Sequence, residues 1–187
     1  MQLFTNGGAY MLYSYYQCIE MFGTDRKLKK ALNNEQIFKI EKGIYSDTKY
    51  VSELAIISMK YPNTIFTLNS AFYYHGLTDV IPDLYFLATS KEITKIRDKR
   101  VKQKFENRKA LNLGVIKMNY NNVEIKIYNK ERMLIELIRN KNNLPFDYYK
   151  EILLNYRKMI NELDIQEYAY ALPKTDMVLE TLQLEVL

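Results

Sequence analysis

Apolar positions return at helical spacing through the first fifty residues. Tyr15, Cys18, Ile19 and Phe22 share one face of a helix that Ser14 caps and that Gly23 ends in the usual left-handed position. A second helix is predicted over Thr24 to Gln36. At about 100° per residue, Leu28, Ala31 and Leu32 fall on one side. Arg26, Lys30 and Asn33 fall on the other, with Lys27, Lys29 and Asn34 on its flanks. Thr24 suits the N-cap, and Asp25 suits the positive end of the helix dipole. Ile37, Ile40 and Ile44 then mark a tight hairpin, with Gly43 available for its turn. Ahead of all this, Gly7 to Tyr13 reads as a short extended piece.

The pattern changes after Ser46. Ser52 to Tyr61 predicts a helix with Leu54 and Ile57 inward, stopped by Pro62. Ile65 to Leu68 is short and apolar, and Asn69 or Ser70 is placed to cap a helical turn through His75, closed by Gly76. Leu84 to Thr89 has the unbroken apolar character of a strand buried on both faces. Leu113 to Met118 and Val123 to Tyr128 form a hairpin about Asn121-Asn122, with Val123, Ile125 and Ile127 alternating against Glu124 and Lys126. From Asn129 the periodicity is helical to the end. Its stripes are Met133, Leu134, Leu137 and Ile138, then Tyr149, Ile152, Leu153, Tyr156, Ile160 and Leu163. Shorter helices follow near Ile165 to Leu172 and Thr175 to Leu187, the last with Val178, Leu179 and Leu182 available to pack.

The fold class expected is α/β of the α+β kind. A helix-turn-helix with a wing occupies residues 1–47, its first helix short or missing, and a larger mixed domain with a small sheet and a helical C-terminal half occupies 48–187. In such a unit the second helix enters a major groove, where Arg, Lys and Asn read base edges. A cationic helix face that is only solvated has the same sequence.

Charge sharpens the picture. The net is +5 over 187 residues. Lys91 to Lys109 holds nine basic and three acidic residues, and Thr24 to Lys42 holds six and three, so two segments carry +6 and +3 and the remainder carries −4. A phosphate-binding surface needs such concentration, with Lys95, Arg97, Lys99 and Arg100 as its second part. A solvated loop or a protein-binding segment also fits residues 91–109. No stretch approaches the ~20 apolar residues of a membrane span, and no signal peptide is visible, so no membrane partner and a cytoplasmic location are expected. The single Cys18 excludes an intrachain disulfide, and with the single His75 it leaves too few soft ligands for structural zinc.

Two enzymatic readings compete with binding. His75 has the chemistry of a general base or ligand, yet no nucleophile pattern surrounds it, and a structural histidine bonded to a carbonyl or to Thr78 is the plainer reading. Asp83 with Glu124 and Lys126 has the residue types of a metal-dependent nuclease core, two carboxylates for the metal and a lysine for developing charge. Glu-x-Lys also occurs on any half-exposed strand.

Several separated segments resemble one family. They are Ile37 to Tyr45; Tyr61 to Thr78, with the motif Asn69-Ser-Ala-x-x-x-His-Gly-Leu-Thr78; Leu111 to Val115; and Val123 to Arg139, with Tyr128-x-x-Glu-Arg132. Together they are similar to the AbiEi-type antitoxins of bacterial type IV, abortive-infection toxin–antitoxin systems, which serve in phage defence. The resemblance implies a winged helix that binds operator double-stranded DNA and represses its own operon. It also implies a C-terminal domain that counters a nucleotidyltransferase-like toxin, with no cofactor, metal or catalysis. Carried onto this chain, the DNA contacts are Arg26, Lys27, Lys30, Asn33, Lys39 and Lys42, and the motif residues are Asn69, Ser70, His75, Thr78, Glu131 and Arg132. The chain departs from the family at its start, where a full first helix is not visible.

Overall fold

Short polar caps set the first elements in the computed structural model, which describes residues 10–160 and 164–186. Strand β1 (Leu12–Ser14) runs directly into α1 (Tyr15–Phe22). The Ser14 hydroxyl accepts from the Gln17 amide while the Gln17 side chain accepts from the Ser14 amide, a complete capping box. Gly23 at φ +84° ends the helix. Thr24 then caps α2 (Asp25–Asn33), accepting from the Lys27 amide. This helix is shorter than the expected span. Gln36 N–H returns to Ala31 O and Glu35 N–H to Leu32 O, a Schellman ending with Glu35 itself in the left-handed position at φ +55°.

β2 (Phe38–Glu41) and β3 (Ile44–Ser46) follow as an antiparallel hairpin turned at Gly43. Its register slips between Lys39 and Glu41, so Ile40 is the extra residue of a bulge. β1 pairs on the other side of β3, and the sheet order is β1-β3-β2. Cys18, Leu28, Ala31, Ile37 and Tyr45 are the core, with Tyr13, Ile19, Phe22 and Leu32 packed around it. Tyr15, expected on the inner stripe of α1, is instead exposed, because the helix starts at Tyr15 itself and its first turn stands beyond the core. α3 (Glu53–Lys60), capped by Ser52, completes this unit, which extends to Pro62 and also takes in Asn121–Val123.

The second unit holds the remaining residues from Asn63 onward. Its elements are β4 (Ile65–Phe66), α4 (Leu68–Tyr74), β5 (Tyr85–Ser90), β6 (Val101–Glu106), α5 (Arg108–Leu111), β7 (Val115–Tyr120) and β8 (Val123–Tyr128). The helices α6 (Lys130–Arg139), α7 (Phe146–Arg157), α8 (Gln166–Ala171) and α9 (Thr175–Thr181) follow, and a π-helical turn, Leu182–Val186, ends the described chain. The five-stranded sheet has the order β6-β5-β4-β8-β7, with β4 antiparallel to β5 and parallel to β8, and β5 parallel to β6. Mixed strand direction with helices packed around one sheet makes the chain α+β.

Strand β6 lies inside the segment expected to separate two strands as a basic loop. Val101, Gln103 and Phe105 alternate there with Lys102, Lys104 and Glu106, and the strand pairs with β5 along its whole length, Tyr85↔Val101 to Ser90↔Glu106. The cap of α4 also differs. Thr67 holds that position, and Asn69 and Ser70 sit inside the helix, since Thr67 N–H is already fixed to Phe86 O at 3.0 Å at the end of β4. The N-terminal stretch through Ala9 and the stripe residue Leu163 lie outside the described residues.

Candidate functional site

The cations of the first unit divide into two sets. Lys29 pairs with Asp25 one turn earlier at 2.8 Å, and its ammonium holds the Asp25 carboxyl below the ordinary carboxylate range. Lys49 bridges to Glu35 and Lys60 to Glu41, each at 2.9 Å. Arg26, Lys27, Lys30, Lys39 and Lys42 are all exposed and, among the described residues, have no acidic partner. Asn33 is exposed on the last turn of α2.

The physical cause is the amphipathic register of α2. Leu28 and Ala31 are buried against Cys18 and Ile37, which drives Arg26, Lys27 and Lys30 outward. Lys39 and Lys42 come from the hairpin strand and turn. Cys18 is fully buried in the core of this unit, and that burial pushes its thiol up from the ordinary value.

In the second unit the basic segment is also divided. Lys91, Lys95, Arg97, Lys99 and Lys102 are exposed. Arg100 is not available in the same way. Its guanidinium is bidentate on Asp98, with Nε to Oδ1 at 3.0 Å and Nη2 to Oδ2 at 2.8 Å, and its carbonyl accepts from Tyr85 N–H. It closes the β5–β6 crossover, so the expected DNA contact at this position gives way to a structural one. Lys104 also turns inward, to Glu136 Oε2 at 2.6 Å and Glu106 Oε1 at 3.4 Å.

The family-motif residues gather around α4, β8 and α6. Ser70 Oγ accepts from Phe86 N–H at 2.8 Å, tying α4 to β5. His75 Nε2–H donates to Tyr128 O at 2.7 Å, and burial holds the imidazole below its ordinary pKa although that hydrogen bond opposes the shift. Thr78 Oγ1 accepts from Val80 N–H. Asn69 lies half-buried beside Val80 and Tyr148 in an open cleft. Glu131 is half-buried near the start of α6.

Arg132 is fully buried. It stacks over the Tyr128 ring at 4.4 Å, donates to Ala110 O at 2.8 Å, and meets Glu136 Oε1 at 2.9 Å. Glu136, not the adjacent Glu131, is therefore its partner, because residues four apart share a helix face. Burial drives the Glu136 pKa upward, but Lys104, Arg139 and Arg132 outweigh it and hold the carboxyl below its ordinary value. Sequence reasoning misses this network. Its one local sign is the Arg132–Glu136 spacing of four within an apolar stripe.

Asp83, Glu124 and Lys126 are not brought together. Phe66 lies opposite both Ile127 and Leu87, while β5 and β8 run in opposite directions on either side of β4. The start of β5, which Asp83 precedes, is then about 17 Å from Glu124 along the strand direction at ~3.4 Å per residue. Glu124 is paired with Lys117 at 2.9 Å, both well exposed. Among the described residues no three His, Cys, Asp or Glu side chains gather to hold a metal, and no helix is long and apolar enough to cross a membrane. No family model matches this chain, and no curated protein matches it in sequence.

Proposed function

We propose that this protein is a cytoplasmic DNA-binding antitoxin of the AbiEi type, which represses its own operon and counters a nucleotidyltransferase-like toxin. The observation that carries this reading is the set of five unneutralised cations on α2 and its hairpin, Arg26, Lys27, Lys30, Lys39 and Lys42, beside three lysines that do have acidic partners.

The order of elements supports it further. A strand, two helices joined at Gly23, and a hairpin whose second strand pairs with the first strand follow the element order that a helix-turn-helix with a wing requires. In this reading α2 is the recognition helix. Arg26, Lys30 and Asn33 meet base edges in the major groove, and Lys39 and Lys42 hold phosphates from the wing. The exposed lysines and arginine at 91–99 add sequence-independent attraction. The second unit, with Ser70 tying α4 to β5, His75 tying α4 to β8, and Arg132 stacking α6 on β8, is the body that acts against the toxin.

The test is fluorescence anisotropy with the full chain, its own promoter duplex and a scrambled duplex at two salt concentrations. Tight, selective promoter binding that Arg26→Ala with Lys30→Ala abolishes is the expected result. Equal binding to both duplexes, or selectivity that survives the double substitution, would overturn the docking of α2.

A further inference from the structure

Three cations converge on one cleft of about 420 Å³ in the second unit, between the end of α6 and one face of α9. Its walls include Arg139, Lys141, Asn142, Lys174, Met177 and Thr181. Two of the charges are partly spent. Arg139 gives Nη1 to Glu136 Oε1 at 2.7 Å, and Lys141 is paired with Glu185. What remains is directional. Among the described residues the buried Arg139 Nε–H has no acceptor, and the exposed Lys174 ammonium donates to the Arg139 carbonyl at 3.3 Å. A guanidinium with an unmet N–H beside an ammonium is the donor set that fits the oxygens of a phosphoryl group.

The backbone gives a second sign. Lys174 is held in the left-handed region at φ +68°, where Gly, Asn or Asp sits at less cost. Its side chain is thereby directed from the turn after Pro173 onto the last turn of α6. A strained backbone that brings a cation to the carbonyl of the residue carrying the unmet donor is the kind of arrangement that a binding site accounts for.

We propose that Arg139 and Lys174 form a binding site for a phosphoryl group, whether on a free small molecule or in a nucleic-acid backbone. Nothing in the DNA reading of α2 requires this site, since it lies wholly within the second unit. Lys141 and Asn142 border the same cleft.

The test uses the full chain and two probes followed by calorimetric titration. One is inorganic pyrophosphate. The other is a single-stranded oligonucleotide without terminal phosphates, titrated into the Arg26→Ala, Lys30→Ala background so that α2 contributes little. Lys174→Asn suits the left-handed backbone and removes the ammonium together with most of its aliphatic stem, and Arg139→Lys keeps the charge opposite Glu136 but removes the Nε–H. At least a tenfold loss of affinity for either probe in Lys174→Asn, with an unchanged melting temperature, is the expected result. Loss confined to pyrophosphate identifies a free ligand, and loss confined to the oligonucleotide a backbone phosphate. If neither probe binds the parent chain at millimolar concentration, or if both substitutions leave binding within twofold, the site is not there.

Discussion

Arg132 and Glu136 stand one turn apart on α6, both fully buried, with Nη2 and Oε1 2.9 Å apart. Such a pair is not by itself a large source of stability, because desolvating both charges costs about as much as their attraction returns. Its consequence is asymmetric. Losing one member strands the other in the interior. Glu136→Ala takes the nearest carboxylate from Arg132, Lys104 and Arg139 and leaves the first two only the more distant Glu106, so a loss of about 3–5 kcal/mol is expected. Urea unfolding followed by circular dichroism measures it. A midpoint unmoved by Glu136→Ala would mean that the network carries no weight.

The same carboxylate sets acid behaviour. Its folded pKa lies below the unfolded one, so its contribution is fully present above the ordinary value of 4.5 and is lost as pH falls through the lower, folded value. Stability should therefore drop steeply below about pH 4.5, and Glu136→Gln should flatten that limb of the curve.

His75 acts in a separate window. It is the only histidine of the chain, and its folded pKa is depressed from 6.5 by burial. A proton then binds the unfolded state first, so stability is unaffected above the unfolded pKa and falls as pH drops below it. Melting temperatures between pH 7.5 and 5.5 should decline in the parent chain. They should decline less in His75→Gln, which can still donate to Tyr128 O. Parallel curves for the two chains would place the titration elsewhere.

Among the described residues Gly114 is the tightest glycine. It sits at φ +73°, and a Cβ there would lie 2.8 Å from Asn129 Oδ1 and 2.9 Å from both Arg132 Cβ and Tyr168 Cε1. Asn129 is also the cap of α6, accepting from Arg132 N–H and donating to the Tyr168 hydroxyl at 2.7 Å. Gly114→Ala should cost at least about 2 kcal/mol through strain and displaced contacts. Gly43→Ala, with a similar φ but open space around it, should cost less. Paired thermal melts decide, and equal losses would show that backbone strain alone is at work.

If Arg26, Lys27, Lys30, Lys39 and Lys42 each neutralise a phosphate, duplex affinity should fall about 500-fold between 50 and 200 mM salt. Lys99→Ala should weaken promoter and scrambled duplexes alike, and Arg100→Ala should instead lower stability through its lost bond to Asp98. A salt slope near zero would rule out phosphate contact by this surface.

Elements governed by near neighbours along the chain are legible in the sequence itself. The Ser14, Thr24 and Ser52 caps and the burial of Cys18 follow from a few adjacent residues. So does the Asn121-Asn122 turn, both residues at positive φ. The exposed face of α2 is legible for the same reason, since burying Leu28 and Ala31 fixes where Arg26 and Lys30 point.

Long-range pairing decided the rest. Lys104 of strand β6 reads as part of a solvated loop until Glu136, thirty-two positions away, supplies the opposite charge. Asp83 and Glu124 look like a pair by composition, and the strand order together with the opposite directions of β5 and β8 about β4 separates them. Arg100 reads as a ligand for phosphate, and here a near neighbour decides, since Asp98 two residues earlier takes its guanidinium at the turn into β6. Helical periodicity, caps and the positions of charge are set by local sterics and side-chain chemistry, so the chain alone determined them. Which charges meet, and which are left free, depends on strand register and on burial by residues distant in sequence, so that was decided only in the folded structure.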